Sequence, residues 1–498
     1  MSVLRIVIAG GGPAGMTLAH RLHRHGLDVT VYERDCGVAT RDPGYRLHIN
    51  STGTTALHAA LEPALWELFL ATSGMPDEGM PLYDEHLTLR PARDTKATEG
   101  VGAPVSDIPE HLVVSRSTLR RILHLGLEQV VRFGVKVVGY RSNPDSTVTV
   151  LLDDGQTVEA DVLIAADGIN SAVRAQRLPH ARVIDLGARH IVAKIPLTDQ
   201  TRAMIPAQLL TTFSLAYDSD HTGLTFGPLE RSNPDSPLIK EQDDEFQAEA
   251  RENFALTIFN SVNEKMMPDA ELFTASPQRL RDYVMARLTS WHPALVDTVQ
   301  LWDVTTVQAL TLRSCVPVGA WEPSNVTMMG DAIHAMSSAL GIGANTALRD
   351  AHVLGEELLA VTDGYRAVVE GVGAYEERMR DYGFRGSATV RGGGRAGDRS
   401  PPATRVVGPL RSTAGSGFGP DSRPTALSRG GWMLSSPLSV NGKVVPGSVR
   451  VGSRRGQGSM AVAPCRSSSH VSARWCRISS AARLAPTRLR VSIPDGRP

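Results

Sequence analysis

The feature that most constrains this chain is a glycine-rich hexad, Gly10-Gly11-Gly12-Pro13-Ala14-Gly15, set between an apolar run and a helical pattern. Residues 3–9 (VLRIVIA) predict a short buried strand. Pro13 to His25 predict a helix, and Gly26 supplies its stop. Leu27–Tyr32 (LDVTVY) predict a second strand that ends in Glu33. Strand, turn, helix and strand make a βαβ opening with parallel strands. Within that context G-x-G-x-x-G has a physical meaning. The first glycine permits a tight turn, the second lets the backbone approach a pyrophosphate, and the third lets helix and strand pack closely. The pyrophosphate then sits on free N–H groups at the positive end of the helix. Glu33, 18 residues beyond Gly15, stands where a carboxylate accepts from ribose hydroxyls. Gly10, Gly12, Pro13, Ala14, Gly15 and Glu33 are therefore candidate dinucleotide-binding residues, although the motif does not distinguish one dinucleotide from another.

Two later segments repeat the pattern of a buried strand ending in an acidic turn. In Ala160–Arg174 (ADVLIAADGINSAVR) the strand Val162–Ala166 stops at Asp167-Gly168. In Met329–Asp350 (MGDAIHAMSSALGIGANTALRD) the strand Val326–Met329 is closed by Gly330-Asp331, and a helix is expected from about Asn345 to Ala360. The N-terminus of that helix offers partial positive charge. Together with the hexad, these segments resemble the "DG" and "GD" motifs of flavoprotein hydroxylases of the p-hydroxybenzoate hydroxylase type. The resemblance implies FAD as cofactor. It implies that Asp167 and Gly168 lie near the FAD ribose and the reduced nicotinamide. It also implies that Asp331 accepts from a ribityl hydroxyl, while Gly341, Gly343, Ala344 and Asn345 turn backbone N–H groups to the flavin pyrimidine edge.

Smaller likenesses extend this. Glu33-Arg34 resembles the family's strand end. Ser115-Arg116-x-x-Leu119 resembles its R-x-x-L segment, whose arginine contacts FAD. Gly44-Tyr45-Arg46-Leu47-His48 is similar to the stretch that runs past the flavin in tetracycline-modifying monooxygenases. That likeness places Arg46 at the cofactor and Arg41 at the reduced nicotinamide. The chain also departs from the family's H-x-M-x-P-x-x-G-Q-G pattern: Ser338 replaces the proline and Ile342 the glutamine.

The fold class expected is α/β: a Rossmann-like FAD-binding domain with an inserted β-sheet-based substrate domain. FAD-binding parts are expected at 1–75, 106–180 and 306–385, the last with a C-terminal helix. A substrate-domain excursion is expected at 76–105 and the substrate domain proper at 181–305. Residues 112–133 predict a strand and then a helix (STLRRILHLGLEQVV), followed by small antiparallel strands turned at Asp153-Asp154-Gly155. Phe213, Phe226 and Met204 are expected to line the substrate pocket. The resemblance implies an oxidoreductase: NADPH or NADH reduces FAD, O₂ forms a flavin C4a-hydroperoxide, and oxygen passes to an aromatic or polyketide-like substrate. No catalytic base is assigned, because the cofactor carries the hard chemistry. The alternatives are a flavin-dependent dehydrogenase or reductase on the same scaffold, and a non-catalytic product with an aberrant C-terminus.

Charge is what sets the last stretch apart. The formal net charge is zero. Residues 386–498, however, hold 17 Arg, one Lys and three Asp without Glu, so the tail carries +15 and the body −15. Gly, Ser, Arg and Pro dominate the tail, and such composition predicts a disordered segment. It reads as out-of-frame translation of a GC-rich gene. A nucleic-acid-binding arm needs interleaved aromatics, and the tail offers only Phe418, Trp432 and Trp475. Cys36, Cys315, Cys465 and Cys476 form no C-x-x-C pair and suit a reducing cytoplasm. No apolar run reaches the roughly 20 residues a membrane span needs. His20, His23 and His25 read as a solvated helix face rather than a metal site. The expected partners are thus a small aromatic molecule and O₂, for a cytoplasmic monomer or homodimer.

Overall fold

The computed structural model describes residues 4–38, 45–77, 79–91, 108–337 and 341–389, with side chains as far as Phe384. Residues 390–498 of the expected tail, Arg41 and Ser338 lie outside the described residues; residues 386–389, expected in the disordered tail, instead continue the last helix, Val368–Thr389. All the rest belongs to the first of two compact units, Met1–Leu410.

Five short strands form one parallel sheet, in the order Val326–Met328, Val162–Ala165, Arg5–Ala9, Asp28–Glu33, Val131–Phe133. They are apolar because helices cover both faces of such a sheet; every residue of Val162–Ala165 is buried. The opening therefore folds as its pattern dictates: strand Arg5–Ala9, helix Pro13–Arg24, strand Asp28–Glu33. Gly26 follows the helix at φ +78°, a left-handed stop. Strands Val137–Ser142, Val148–Leu152 and Thr157–Ala160 form the small antiparallel layer, and Gly155 makes its turn at φ +85°.

A second, seven-stranded sheet runs in the order Asp303–Cys315, Val183–Pro196, Phe254–Val262, Gly223–Leu229, Ser214–Tyr217, Leu82–Asp84, Leu89–Arg90. One face packs on the helices Pro277–Arg287 and Pro293–Gln300 through its own apolar core, separate from that of the parallel sheet. Between the two sheets runs a two-stranded ribbon, Arg46–Asn50 with His111–Ser115.

Two expectations need correction. The helix expected through Val131 stops at His124; Gly126 stands at φ +77°, and Val131–Phe133 becomes the edge strand beside Asp28–Glu33. A short apolar run fits a helix stripe or a buried strand equally well, and the open edge of the parallel sheet decides between them. His20 is not solvated either. It is 3% exposed and bonds the Leu123 carbonyl at 2.9 Å through Nε2, whereas His23 and His25 are exposed.

Burial pulls His20, His48 and His190 down to about 4. Each is therefore neutral in the fold at pH 5 but protonated once unfolded, since its ordinary pKa is near 6.5. The unfolded chain binds more protons there, so stability is held above about pH 6.5 and lost as pH falls toward 4. For the well-buried His20 and His190 the loss by pH 5 is roughly 2 kcal/mol each. Chemical denaturation at pH 7 and pH 5 measures this, and equal midpoints at the two values would refute it.

Candidate functional site

The motif turns all lie at the carboxyl ends of neighbouring parallel strands. Asp331 follows Val326–Met328, Asp167 follows Val162–Ala165, the glycine hexad follows Arg5–Ala9, and Glu33 ends Asp28–Glu33. Ligands of open α/β sheets bind in the crevice outside those ends. Segments about 150 residues apart thus meet on one sheet edge because their strands are neighbours in the order above.

The three hexad glycines differ as a pyrophosphate cradle requires. Gly10 stands at φ +109°, and a Cβ there would lie 2.4 Å from the Ala166 carbonyl oxygen. A Cβ on Gly15 would lie 2.3 Å from the Gly10 oxygen, so this contact sets how closely helix and strand approach. Gly12 faces open space within 4 Å, the room a phosphate would take at the start of the helix. Pro13 occupies the first turn, where its missing N–H costs nothing. Glu33 is buried; its Oε2 accepts from the Gly11 N–H at 2.7 Å and its Oε1 from the Asp35 N–H at 2.9 Å. The carboxylate therefore holds the loop, and each oxygen keeps a further lone pair for a ribose hydroxyl. Arg34 is exposed beside it.

Asp167 accepts from the Ala172 N–H at 3.0 Å through Oδ2, while Oδ1 is buried with no hydrogen-bond partner. Burial raises its pKa. A buried acceptor left open in this way calls for a donor, and a sugar hydroxyl meets the need. Gly168 follows at φ +79°. Asp331 is reachable by solvent yet closely surrounded by protein, and that crowding raises its pKa, moderated by His334 and Arg116. Arg116 thus comes within electrostatic reach of Asp331, and its N–H donates to the Tyr45 carbonyl at 2.7 Å.

The helix expected from Asn345 starts at Gly343 and runs to Thr362. Thr346 is the first to donate back, to Ile342 at 2.9 Å, so the N–H groups of Gly343, Ala344 and Asn345 lack intrahelical acceptors. Asn345 has a second task. Its Oδ1 accepts from the Asn50 N–H and its Nδ2 donates to the His48 carbonyl, both at 2.9 Å, which fixes the Arg46–Asn50 strand against this helix start. Gly341, at φ +64°, precedes it. An acid with one open oxygen, open phosphate space and a helix N-terminus on one sheet edge suit the ribose, pyrophosphate and flavin of FAD in turn.

Behind the edge lies a cluster that sequence reasoning missed. The Asp350 carboxylate, fully buried, accepts from the Gly330 N–H and His334 Nε2 through Oδ2 and from the Tyr382 hydroxyl through Oδ1, all at 2.6 Å. It thereby holds the Gly330 turn at φ +59° and, with it, Asp331. Arg174 ties the two acidic turns together, donating to the Ala332 and Ile169 carbonyls at 2.7 Å each. Asp350 and Arg174 closed the quoted motifs, but no spacing rule marks either as a tie.

The second sheet meets this region with the face opposite its apolar core. On strand Gly223–Leu229 the residues Leu224 and Phe226 enter the helix-covered core. Phe226 therefore does not line a substrate surface. Met204 is 47% exposed at a helix end. Phe213 lies beside Gly227 on the face toward the ribbon, with the Arg46 guanidinium 5.4 Å from its ring centre.

The profile of the FAD binding domain family matches residues 3–385. The chain belongs to this family. The match stops where the basic tail begins. The dual O-methyltransferase/FAD-dependent monooxygenase elcB of Phaeosphaeria nodorum is 30% identical over 71% of this chain, which spans 40% of that protein. The chain thus spans less than half the length of such two-function relatives. The 3-amino-4-hydroxybenzoate 2-monooxygenase PtmB3 of Streptomyces platensis is 28% identical, covering 72% of this chain and 80% of its own. A crystal structure assigned as an FAD-containing monooxygenase from Photorhabdus luminescens subsp. laumondii is 30% identical with a TM-score of 0.67, over 78% of this chain and 97% of that one. FAD-binding family membership accounts for the α/β fold and for the crevice at the strand ends.

Proposed function

We propose that the protein is an FAD-dependent monooxygenase that uses NADPH or NADH and O₂ to hydroxylate an aromatic or polyketide-like small molecule. The observation that carries this reading is the convergence of the hexad, Asp167 and Asp331 on one sheet edge. The names of the relatives support the reaction class. Bound FAD would supply electron transfer from the nicotinamide and oxygen transfer at its C4a position. The chain's own share is binding, orientation and exclusion of water. Gly10, Gly12 and the start of the Pro13–Arg24 helix would take the pyrophosphate; Glu33 and Asp167 would take sugar hydroxyls. Asp331 would take the ribityl chain, and the Gly343–Asn345 N–H groups would favour negative charge on the flavin pyrimidine. Segments 1–75, 106–180 and the part of 306–385 after Cys315 make the cofactor part of this reading, and 76–105 with 181–305 the substrate part; strand Asp303–Cys315 goes with the latter because it pairs with Val183–Pro196 in the second sheet. Among the described residues no helix is long and apolar enough to cross a membrane.

The test begins with the visible spectrum of the purified full-length chain, where bound-flavin absorption is expected. Aromatic compounds are then screened for stimulated NADPH and NADH oxidation under ¹⁸O₂. Incorporation of one labelled oxygen into product is the expected result. A chain that stays colourless with added FAD, or oxidised product free of label, sinks the proposal.

A further inference from the structure

Arg46 begins the ribbon strand yet is only 9% exposed. A buried charge is normally matched by an opposite charge. Here Nε donates to the Pro228 carbonyl at 2.9 Å, and the guanidinium lies over the Phe213 ring. Among the described residues no carboxylate pairs with it, and burial alone pulls it down to about 10. Among the described residues its terminal N–H groups have no hydrogen-bond partner. The space it occupies is made by Gly227, where a Cβ would lie 3.0 Å from both the Arg46 stem and the Phe213 ring. A glycine on the substrate sheet thus makes room for a cation from the ribbon.

The neighbours of this cation indicate what it faces. The ribbon meets the helix N-terminus at His48–Asn50, where Asn345 holds the strand. Arg46 stands two residues further along, about 6–7 Å at the rise of a strand, and both its contacts belong to the second sheet and the loop before it. The strand register puts His190, Asn260 and Gly223 in one row on the face that also carries Gly227. Burial leaves His190 neutral at pH 7, and Lys194, in the row of Gly227, pairs with Glu252 at 3.5 Å, so among the described residues the unmatched charge at this face is the Arg46 guanidinium.

We propose that Arg46 anchors a carboxylate of the substrate, and that this protein acts on aromatic acids rather than on their neutral counterparts. The inference rests on the monooxygenase reading for the word substrate, and it moves Arg46 from the flavin to the molecule lying over it. A guanidinium with free terminal N–H groups takes a carboxylate in paired hydrogen bonds. The Phe213 ring would then flank the same molecule.

Calorimetric titration of the full-length chain tests this without NADPH, NADH or turnover. The probes are salicylate, anthranilate, 3,4-dihydroxybenzoate and 1-hydroxy-2-naphthoate, each beside its methyl ester. At least one acid is expected to bind about thirtyfold tighter than its ester, the size typical of a buried charge pair losing one partner. In Arg46→Gln that ratio should fall to about one with FAD content per chain retained. Arg46→Lys, which keeps the charge without the fork, should give an intermediate ratio and serves if the glutamine variant does not fold. Four acids that bind no better than their esters overturn the proposal. So does a preference that survives in Arg46→Gln, and so does loss of FAD from either folded variant, which would return Arg46 to the cofactor. A flavin-loaded enzyme that hydroxylates without acid preference sinks this inference alone; acid preference without hydroxylation sinks the function alone.

Discussion

Replacing Asp350 by asparagine is expected to destabilise the protein by about 3 kcal/mol or more and to strip it of FAD. The side chain is fully buried and receives three hydrogen bonds of 2.6 Å, from Gly330, His334 and Tyr382. Burial alone would pull His334 down; the Asp350 carboxylate, by its charge and its hydrogen bond, pushes it up instead, and Asp331 adds to this. The carboxylate thus favours the protonated imidazole beside it, and removing one partner of a buried pair leaves the other uncompensated. An asparagine keeps the shape but not the charge, and it brings N–H donors to a place that needs acceptors. The Gly330 turn loses its tether, and Asp331 loses its position with it. Tyr382→Phe is the milder companion, removing one hydroxyl at a cost of about 1–2 kcal/mol. Urea denaturation and flavin absorbance per chain read both effects. An Asp350→Asn protein within 1 kcal/mol of the parent, with full flavin content, would show that the cluster does not hold the turn.

Ending the chain at Ala367 is expected to give an insoluble, colourless product, whereas ending it at Thr389 should leave a flavin-loaded enzyme. The helix Val368–Thr389 packs on the helix Gly343–Thr362 and bonds the edge strand Val326–Met328. Val372, Tyr375 and Met379 are fully buried, and Phe384 is nearly so. The Tyr375 hydroxyl donates to the Met328 carbonyl at 3.0 Å, and Glu376 accepts from Thr327 at 2.9 Å, so the strand that leads into Asp331 leans on this helix. Losing large core side chains costs about 2–5 kcal/mol each, and several together exceed the roughly 5–15 kcal/mol that holds a protein folded. The last of these buried side chains is Phe384, one residue before the family match ends. Expression of both truncations, followed by soluble yield and absorbance, decides the matter. Flavin binding by the shorter chain would refute the role given to the helix, and its loss from the longer one would give residues 390–498 a part in the fold.

What the sequence determined by itself was whatever a few consecutive residues can encode. Strand, glycine turn and helix follow from local pattern, so the opening βαβ unit, the strand before Asp167 and the strand before Asp331 were legible. The hexad, a glycine φ of +109° included, needs no distant partner to be recognised. Tertiary structure alone decided what depends on neighbours remote in the chain. Val130 and Val131 became the end of a turn and an edge strand because the parallel sheet had room beside Asp28–Glu33. Strand Gly223–Leu229 is buried at every position, so no alternation in the sequence says that Phe226 faces one core and Gly227 the ribbon. The Asp350 tie joins residues 330, 334, 350 and 382, and Arg46 is covered by Pro228 and Phe213 with no carboxylate beside it among the described residues. Hydrophobic period encodes the elements, whereas charge matching is settled by which elements meet.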